Sequence, residues 1–345
     1  MIVSRTPYRI SFFGGSSDYQ SWYSKHGGLA LSTTINHYSY ISARWRPPFF
    51  PDKSRIVWNR IEEVVHHMDI LHPSVRACLK YLNIENGVEI HHLGDLPARS
   101  GLGSSSTFTV GLLNALYALQ GVAFNGVKKT LAKEAIHIER DIMQENVGIQ
   151  DQIAAAYGGF NRTSILPNGD FFVDPVIISP ERLEKLQSCL VLFFTGVSRT
   201  ASDIAAEQVA NTDRNEVGIH RMQAMVDESL GILTSDGDIS EFGRLLRESW
   251  AIKRTLAKNI SPQFVDDIYE RGRKAGAIGG KLLGAGGGGH ILFFAWPDDH
   301  DRIRKKLKDL LWVPFKFETD GSQIIFNEPN SYSRESLTRW DYSRS

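Results

Sequence analysis

The stretch Val88-Glu89-Ile90-His91-His92-Leu93-Gly94-Asp95-Leu96-Pro97-Ala98-Arg99-Ser100-Gly101-Leu102-Gly103-Ser104-Ser105-Ser106 decides how this chain folds. Val88 and Ile90 begin a strand, Gly94 to Pro97 ends it, and Ser100 to Ser106 is a run of small residues. Phe108, Leu112, Leu116 and Leu119 then recur at helical spacing until Gly121 supplies a stop. A strand, a Gly/Ser loop and a helix in that order present unpaired backbone N–H groups at a helix start, where the macrodipole favours an anion such as phosphate. The glycines permit close backbone approach, and the serine hydroxyls can bind phosphate or a metal ion. Taken alone the loop also reads as a Ser/Gly helix cap with no ligand. It is not a Walker loop, because Gly-x4-Gly-Lys-Ser/Thr is absent.

Upstream, Tyr8 to Phe13 reads as a strand, Gly14 to Asp18 as a polar loop and Gly28 to Tyr40 as a second extended stretch. Arg9 lies inside the first strand and, if buried, needs an anionic partner. Downstream, a helix is expected from Lys128 to about Gln144, with Ala132, Ala135, Ile136, Ile142 and Met143 on one stripe. Glu139 falls on that apolar stripe and wants a partner of its own. A further helix runs from Ile153 to Tyr157 and breaks at Gly158-Gly159. Before it, Gln150-Asp151-Gln152 interrupts an apolar stretch and singles out Asp151, which by itself also reads as a helix cap or a surface acid.

A composition shift between Asn168 and Pro180 divides the chain into an expected N-terminal domain 1–180, a C-terminal domain 181–328 and a polar tail 329–345. The second half opens with a strand, Cys189 to Phe194, and continues with helical patterns from Asp203 to Ala210, Ile219 to Leu233, Ile239 to Leu256 and Phe264 to Ala275. The glycine run Gly284-Ala285-Gly286-Gly287-Gly288-Gly289 matches G-x-G-x-x-G, but a strand follows it where a dinucleotide site needs a helix. It remains a close-approach loop, serving backbone packing or another side of the same phosphate.

Length sets a prior of about two domains. With 42% hydrophobic and 23% charged residues, the composition of the 345-residue chain is that of a soluble globular protein. Lys+Arg 39 balance Asp+Glu 39, which leaves no global footprint for nucleic acid or an anionic membrane. The apolar runs fall far short of the roughly 18 residues that span a bilayer. With no charged leader and apolar core at the N-terminus, and only Cys78 and Cys189, a cytoplasmic setting is expected. His66-His67, His72 and His91-His92 lack a helical i, i+4 ligand pattern and read as solvated or satisfied rather than zinc-binding.

Three segments, in order, resemble the motifs of the GHMP kinase superfamily of small-molecule kinases. They are Pro7-Tyr8-Arg9-Ile10-Ser11-Phe12-Phe13-Gly14-Gly15-Ser16-Ser17-Asp18-Tyr19, then Leu96 to Ser106, then Lys281-Leu282-Leu283-Gly284-Ala285-Gly286-Gly287-Gly288-Gly289. Within the superfamily the chain is most similar to the D-glycero-D-manno-heptose 7-phosphate kinases, through Arg9 to Gly15, Gly27 to Ile35, Gly148 to Gln152 and Phe194 to Arg199. Galactokinase-like members carry Glu-His where this chain has Gly15-Ser16, which argues against galactose.

The resemblance implies an α+β, two-domain GHMP kinase fold, with a ribosomal-protein-S5-like N-terminal domain and a ferredoxin-like C-terminal domain. It implies ATP and Mg²⁺ as cofactors and a sugar phosphate as partner, with no nucleic acid or membrane, and leaves a homodimer open. Pro97, Ser100, Gly101, Leu102, Gly103, Ser104, Ser105 and Ser106 would cradle the ATP phosphates, while Ser106 and Glu139 would hold Mg²⁺. Asp151 would act as general base on the sugar hydroxyl or orient it electrostatically, and Arg9 would steady the charge. Gly14, Gly15, Asp18, Gly286 and Gly287 fall at the substrate. Arg199 and then Lys281 are the cations for the substrate's own phosphate, unless they are a solvated arginine and a structural lysine. The implied reaction phosphorylates the anomeric hydroxyl of the heptose 7-phosphate. The competing readings are a kinase for fucose or a hexose, and a non-catalytic sensor of ATP and sugar.

Overall fold

The computed structural model describes residues 1–47, 49–122, 128–198 and 202–328; Arg199 and the tail 329–345 lie outside them. The 18-residue strand Gly28–Trp45 is the axis of a nine-stranded sheet among these residues. On one side it pairs antiparallel with Ile2–Phe13, placing Arg9 opposite Thr34 and Ile10 opposite Thr33. On the other it pairs with Val88–Gly94 and with Phe160–Ile165, and the hairpin Ser54–Val57 and Ile61–Val64 extends the edge. Every residue from Thr6 to Gly14 is buried, because this stretch is covered on both faces. One cover is the helix Ser104–Leu119, whose residues from Ser106 to Leu116 are all buried. That is why its apolar residues are not confined to one stripe.

The other cover is the C-terminal half. Its four strands lie in the order Leu311–Val313, Leu190–Phe194, His290–Phe294, Gly279–Leu282, all antiparallel. Numbered along the chain this is 4-1-3-2, the ferredoxin-like arrangement. The helices Glu216–Thr234, Ser240–Lys253 and Gln263–Lys274 lie between its first and second strands in the chain. A single apolar core joins the two halves, running from Tyr8, Ile10, Phe12 and Phe13 to Leu192, Phe242, Leu246 and Phe294. Phe242 is its wedge, with ring centroids 5.4 Å from Phe12 and 5.1 Å from Phe13, both edge-to-face.

Three features depart from the sequence reading. Residues expected in one C-terminal unit, 181–328, rejoin the first sheet: Phe317–Glu318 pairs with Ile35 and Thr34, and Gln323–Asn327 pairs with Ile2 to Arg5. Short strands with remote partners carry no local period to read. A helix, Gln20–His26, follows the Gly14–Asp18 loop, and its seven residues are too few to show helical periodicity. The helix begun at Lys128 is α-helical only to Ile136 and becomes a π-turn over His137–Ile142.

Replacing Phe242 with Ala should lower unfolding stability by about 3–5 kcal/mol, measured by urea denaturation. An unchanged midpoint would show that this ring does not couple the two sheets.

Candidate active site

Arg9 is 4% exposed and points out of the first strand toward the helix Gln150–Tyr157. Its Nε and Nη2 donate to the two carboxylate oxygens of Asp151, each at 2.8 Å, and its Nη1 donates to the Gly101 carbonyl at 2.8 Å. The rigid guanidinium fork fits a carboxylate in this bidentate way. Asp151 itself keeps 25% exposure, so its carboxylate is gripped on one side and reaches solvent on the other.

The Gly/Ser loop meets this pair. Gly103 caps the helix Ser104–Leu119 at φ +77°, a left-handed conformation suited to glycine. A Cβ built on it would lie 3.3 Å from Arg9 Cγ and 3.4 Å from Asp151 Oδ2. The start of the helix and the exposed carboxylate are therefore neighbours. Pro97 and Ser105 are exposed, Gly101, Gly103 and Ser104 half-buried, and Ser100, Leu102 and Ser106 buried.

The second glycine run packs backbone on backbone against this loop. A Cβ on Gly101 would come 2.5 Å from the Leu283 carbonyl oxygen, and one on Gly284 would come 2.5 Å from Gly101 Cα. The Ser100 carbonyl accepts from the His290 backbone N–H at 3.0 Å and lies 2.8 Å from His290 Nδ1. Gly286 and Gly287, expected at the substrate, pack against Ile260, whose carbonyl accepts the Gly287 N–H at 2.9 Å.

Glu139, on the π-turn, is completely buried. Its carboxylate accepts from Ser106 Oγ and Thr109 Oγ1, each at 2.7 Å, and from the Gln152 amide. These are the partners its apolar position demanded. Burial raises its pKa to about 7, opposed by the hydrogen bonds from Ser106, Thr109 and Gln152.

Asp18 is buried beside the pair, accepting from the backbone N–H of Ser16 at 3.1 Å and of Gln150 at 3.4 Å. Burial, and then the Asp151 charge, raise its pKa. Gly14 is packed against the Leu29 backbone, whereas Gly15 has open space where a side chain would be. Lys281, expected near a substrate phosphate, is 3% exposed and donates to the Phe12 carbonyl at 2.7 Å. It holds the seam between the two sheets and is not presented to a ligand. Arg199 lies outside the described residues.

Two residues escaped the sequence reading. Lys253 is buried, donates to the Gly284 carbonyl, and has its pKa lowered to about 8 by burial and then by Arg9, against the pull of Asp18 and Asp151. It ends the apolar stripe Phe242, Leu246, Trp250 of its helix, and a charge on such a stripe is the same signal that picked out Glu139. Gln208 bridges the halves, accepting from Ser16 Oγ at 3.1 Å and donating to the Ala285 carbonyl at 2.9 Å. No local pattern marks it.

Two family models match the chain, the GHMP kinases N terminal domain over residues 69–159 and the GHMP kinases C terminal domain over residues 229–311, together about half its length. The chain belongs to the GHMP kinases. As such it is an ATP-dependent kinase with a hydroxyl acceptor. The D-glycero-alpha-D-manno-heptose 7-phosphate kinase of Campylobacter jejuni is 28% identical to it over 318 residues, covering 89% of this chain and 93% of that one. The galactokinase of Pyrococcus furiosus is 26% identical, covering 84% and 88%. The crystal structure of a D-glycero-D-manno-heptose 1-phosphate kinase from Bacteriodes thetaiotaomicron superposes with a TM-score of 0.75 at 25% identity, over 95% of this chain and 100% of that one. Among the described residues of this GHMP kinase no helix is long and apolar enough to cross a membrane.

The donors around Glu139 are all oxygens apart from the Gln152 amide, with the exposed Ser105 hydroxyl 3.5 Å from Oε1. A carboxylate and serine hydroxyls beside an anion loop fit a hard divalent cation that completes its shell with phosphate oxygens and water. The raised pKa of Glu139 has a consequence for stability. Its folded value lies above the ordinary 4.5, so its contribution is full below pH 4.5 and is lost as pH rises through about 7. In metal-free buffer, wild-type stability relative to Glu139→Gln should fall by about 3 kcal/mol from pH 4.5 to 7.5, measured by denaturant unfolding. A difference that stays flat with pH would mean that the carboxylate is already ionised throughout.

Proposed function

We propose that this GHMP kinase transfers the γ-phosphoryl group of ATP to the anomeric hydroxyl of D-glycero-D-manno-heptose 7-phosphate. The product is the 1,7-bisphosphate used for nucleotide-activated heptose and surface polysaccharide. The observation that carries the phosphoryl-transfer reading is the meeting of Gly103, at the helix start, with the Asp151 carboxylate that Arg9 grips. An anion held by the loop lies next to a group that can take a proton. The heptose is supported by the motif likeness and by two relatives whose names concern heptose phosphates. Gly15-Ser16 in place of Glu-His speaks against galactose.

In this reading the N–H groups and hydroxyls from Ser100 to Ser106 bind the ATP phosphates. Ser106 and Glu139 would hold Mg²⁺, which when bound neutralises charge on the phosphate oxygens. Asp18 positions the sugar through its hydroxyls, and Arg199 meets the 7-phosphate. The anomeric oxygen bonds to the γ-phosphorus, the bond from that phosphorus to the β,γ-bridging oxygen breaks, and ADP leaves. Asp151 accepts the hydroxyl proton as general base, within about 3 Å of the attacking oxygen. Arg9 fixes the carboxylate's direction and spares it a search among rotamers. Positioning and charge dominate the catalysis, since phosphoryl transfer asks for little covalent work from the protein.

Asp151→Asn should lower kcat by about 10²- to 10⁴-fold, with circular dichroism and thermal unfolding recorded alongside to verify the fold. The assay is ADP release with ATP and Mg²⁺ across the heptose 7-phosphate, the free heptose, mannose, galactose and fucose. Turnover confined to the 7-phosphate supports the reading. Turnover with a free sugar alone removes the phosphate subsite, and an Asp151→Asn enzyme as fast as wild type removes the base.

A further inference from the structure

The helix Gln20–His26 belongs to the N-terminal half of the chain but lies against the helix Glu216–Thr234 and the turn before it. Three polar contacts fix the approach: the Ser21 and Thr212 hydroxyls at 2.9 Å, Trp22 Nε1 donating to Gln223 Oε1 at 3.1 Å, and Lys25 Nζ donating to Asp213 at 2.8 Å. Trp22 is 1% exposed and belongs to the apolar core that holds Ile219 and Met222. Buried packing and hydrogen bonds therefore set the two helices against each other, and the rim of that contact is a defined place.

At that rim three metal-ligating groups converge. His26 ends the first helix, while Glu216 and His220 stand at i and i+4 on the second, a spacing that places both on one face. Two imidazole nitrogens and a carboxylate oxygen, one atom from each residue, lie within 4.8 Å of one another, and among the described residues no other three such groups meet this closely. The rings are held from behind. His26 stacks on Trp22 with centroids 4.3 Å apart, His220 meets the same indole edge-to-face at 4.7 Å, and the two imidazoles lie 5.0 Å from each other. One buried indole thus orients both. Neither imidazole makes a hydrogen bond among the described residues, and the 3.8 Å from His220 Nε2 to Glu216 Oε1 is too long for one, so the ligand atoms keep their lone pairs for an ion. All three side chains are exposed, which leaves those atoms within reach of an ion from solvent. Lys25, the cation next to His26 in the chain, is neutralised by Asp213.

We propose that His26, Glu216 and His220 form a Zn²⁺ site, separate from the kinase centre, that clamps the two helices together. Zn²⁺ takes imidazole nitrogen and carboxylate oxygen at about 2.0–2.2 Å, and a tetrahedral shell sets its ligand atoms roughly 3.3 Å apart. Drawing atoms that already lie within 4.8 Å to that spacing takes side-chain movement of about 1.5 Å or less. Water completes the shell. Nitrogen ligands distinguish this site from the oxygen cradle of Ser106 and Glu139, whose chemistry suits Mg²⁺. An ion here ties the helix that follows the Gly14–Asp18 loop to the C-terminal half. The site stands independently of which sugar the enzyme phosphorylates.

Isothermal titration of the metal-stripped full chain with zinc chloride tests this, in buffer holding millimolar Mg²⁺ to occupy oxygen sites. One equivalent of Zn²⁺ should bind. His220→Ala, and His26→Phe, which keeps a ring on Trp22, should each weaken that binding by about tenfold or more, whereas Glu139→Gln should leave it in place. Zn²⁺ at about a hundredfold excess over its Kd should raise the thermal-unfolding midpoint of wild type by about 2–5 °C, and the shift should vanish at the same concentration in both histidine variants. The proposal fails if no Zn²⁺ binds in the presence of Mg²⁺, or if the isotherm is unchanged in both histidine variants. Loss of binding in His220→Ala with wild-type affinity in His26→Phe would reduce the site to a pair on one helix and overturn the clamp. Binding lost in Glu139→Gln alone would put the ion in the kinase centre and overturn it as well.

Discussion

The guanidinium of Arg9 is the interaction on which the centre depends. One planar group ties a strand, a loop and a helix together, by donating to the Gly101 carbonyl and to both oxygens of Asp151. Arginine stays charged at any working pH, and at 4% exposure it cannot be left unpaired. Removing Asp151 would leave the buried guanidinium without its carboxylate, which is costly because that charge stays out of water. The helix Gln150–Tyr157 is thereby held so that Asp151 faces the start of the helix Ser104–Leu119. The same charge acts on Lys253, lowering its pKa beyond the effect of burial, while Asp18 and Asp151 draw it the other way. The centre is a small field of alternating charges, and Arg9 lies at its middle.

A second constraint is steric. The two glycine loops touch through backbone atoms, so only hydrogen fits at Gly101 and Gly284. With the His290 and Ser100 bonds and the Phe242 wedge, this makes the boundary between the two sheets a packed interior rather than a hinge. Lys281 belongs to the same seam. Its burial against the Phe12 carbonyl explains a lysine that motif reading assigns to a ligand.

Charges stranded on apolar stripes turned out to be the most informative local signal. Glu139 and Lys253 both obey it, yet only Glu139 was picked out from the sequence. The stripe around Lys253 ends at that residue, so the lysine reads equally well as a favourable cation at a helix C-terminus. The π-turn adds a detail that no periodicity carries. The buried carboxylate that meets Ser106, Thr109 and Gln152 sits within the wider turn over His137–Ile142 that follows a regular helix.

By itself the sequence determined the strand–loop–helix unit, the three ordered motifs, and Arg9 and Glu139 as charged groups that need partners if buried, while Asp151 stood out through its polar neighbours and Asp18 through the motif likeness. These are legible because they rest on local periods and on residue types whose burial is costly wherever it occurs. The tertiary structure alone decided who those partners are, that the second glycine run packs on the first, that Gln208 bridges the halves, and that residues 317–327 return to the first sheet. Each of these joins residues far apart in the chain. Hydrogen bonding, ion pairing and close packing act over a few ångströms of space, and no local pattern records which distant segments the fold will bring within that range.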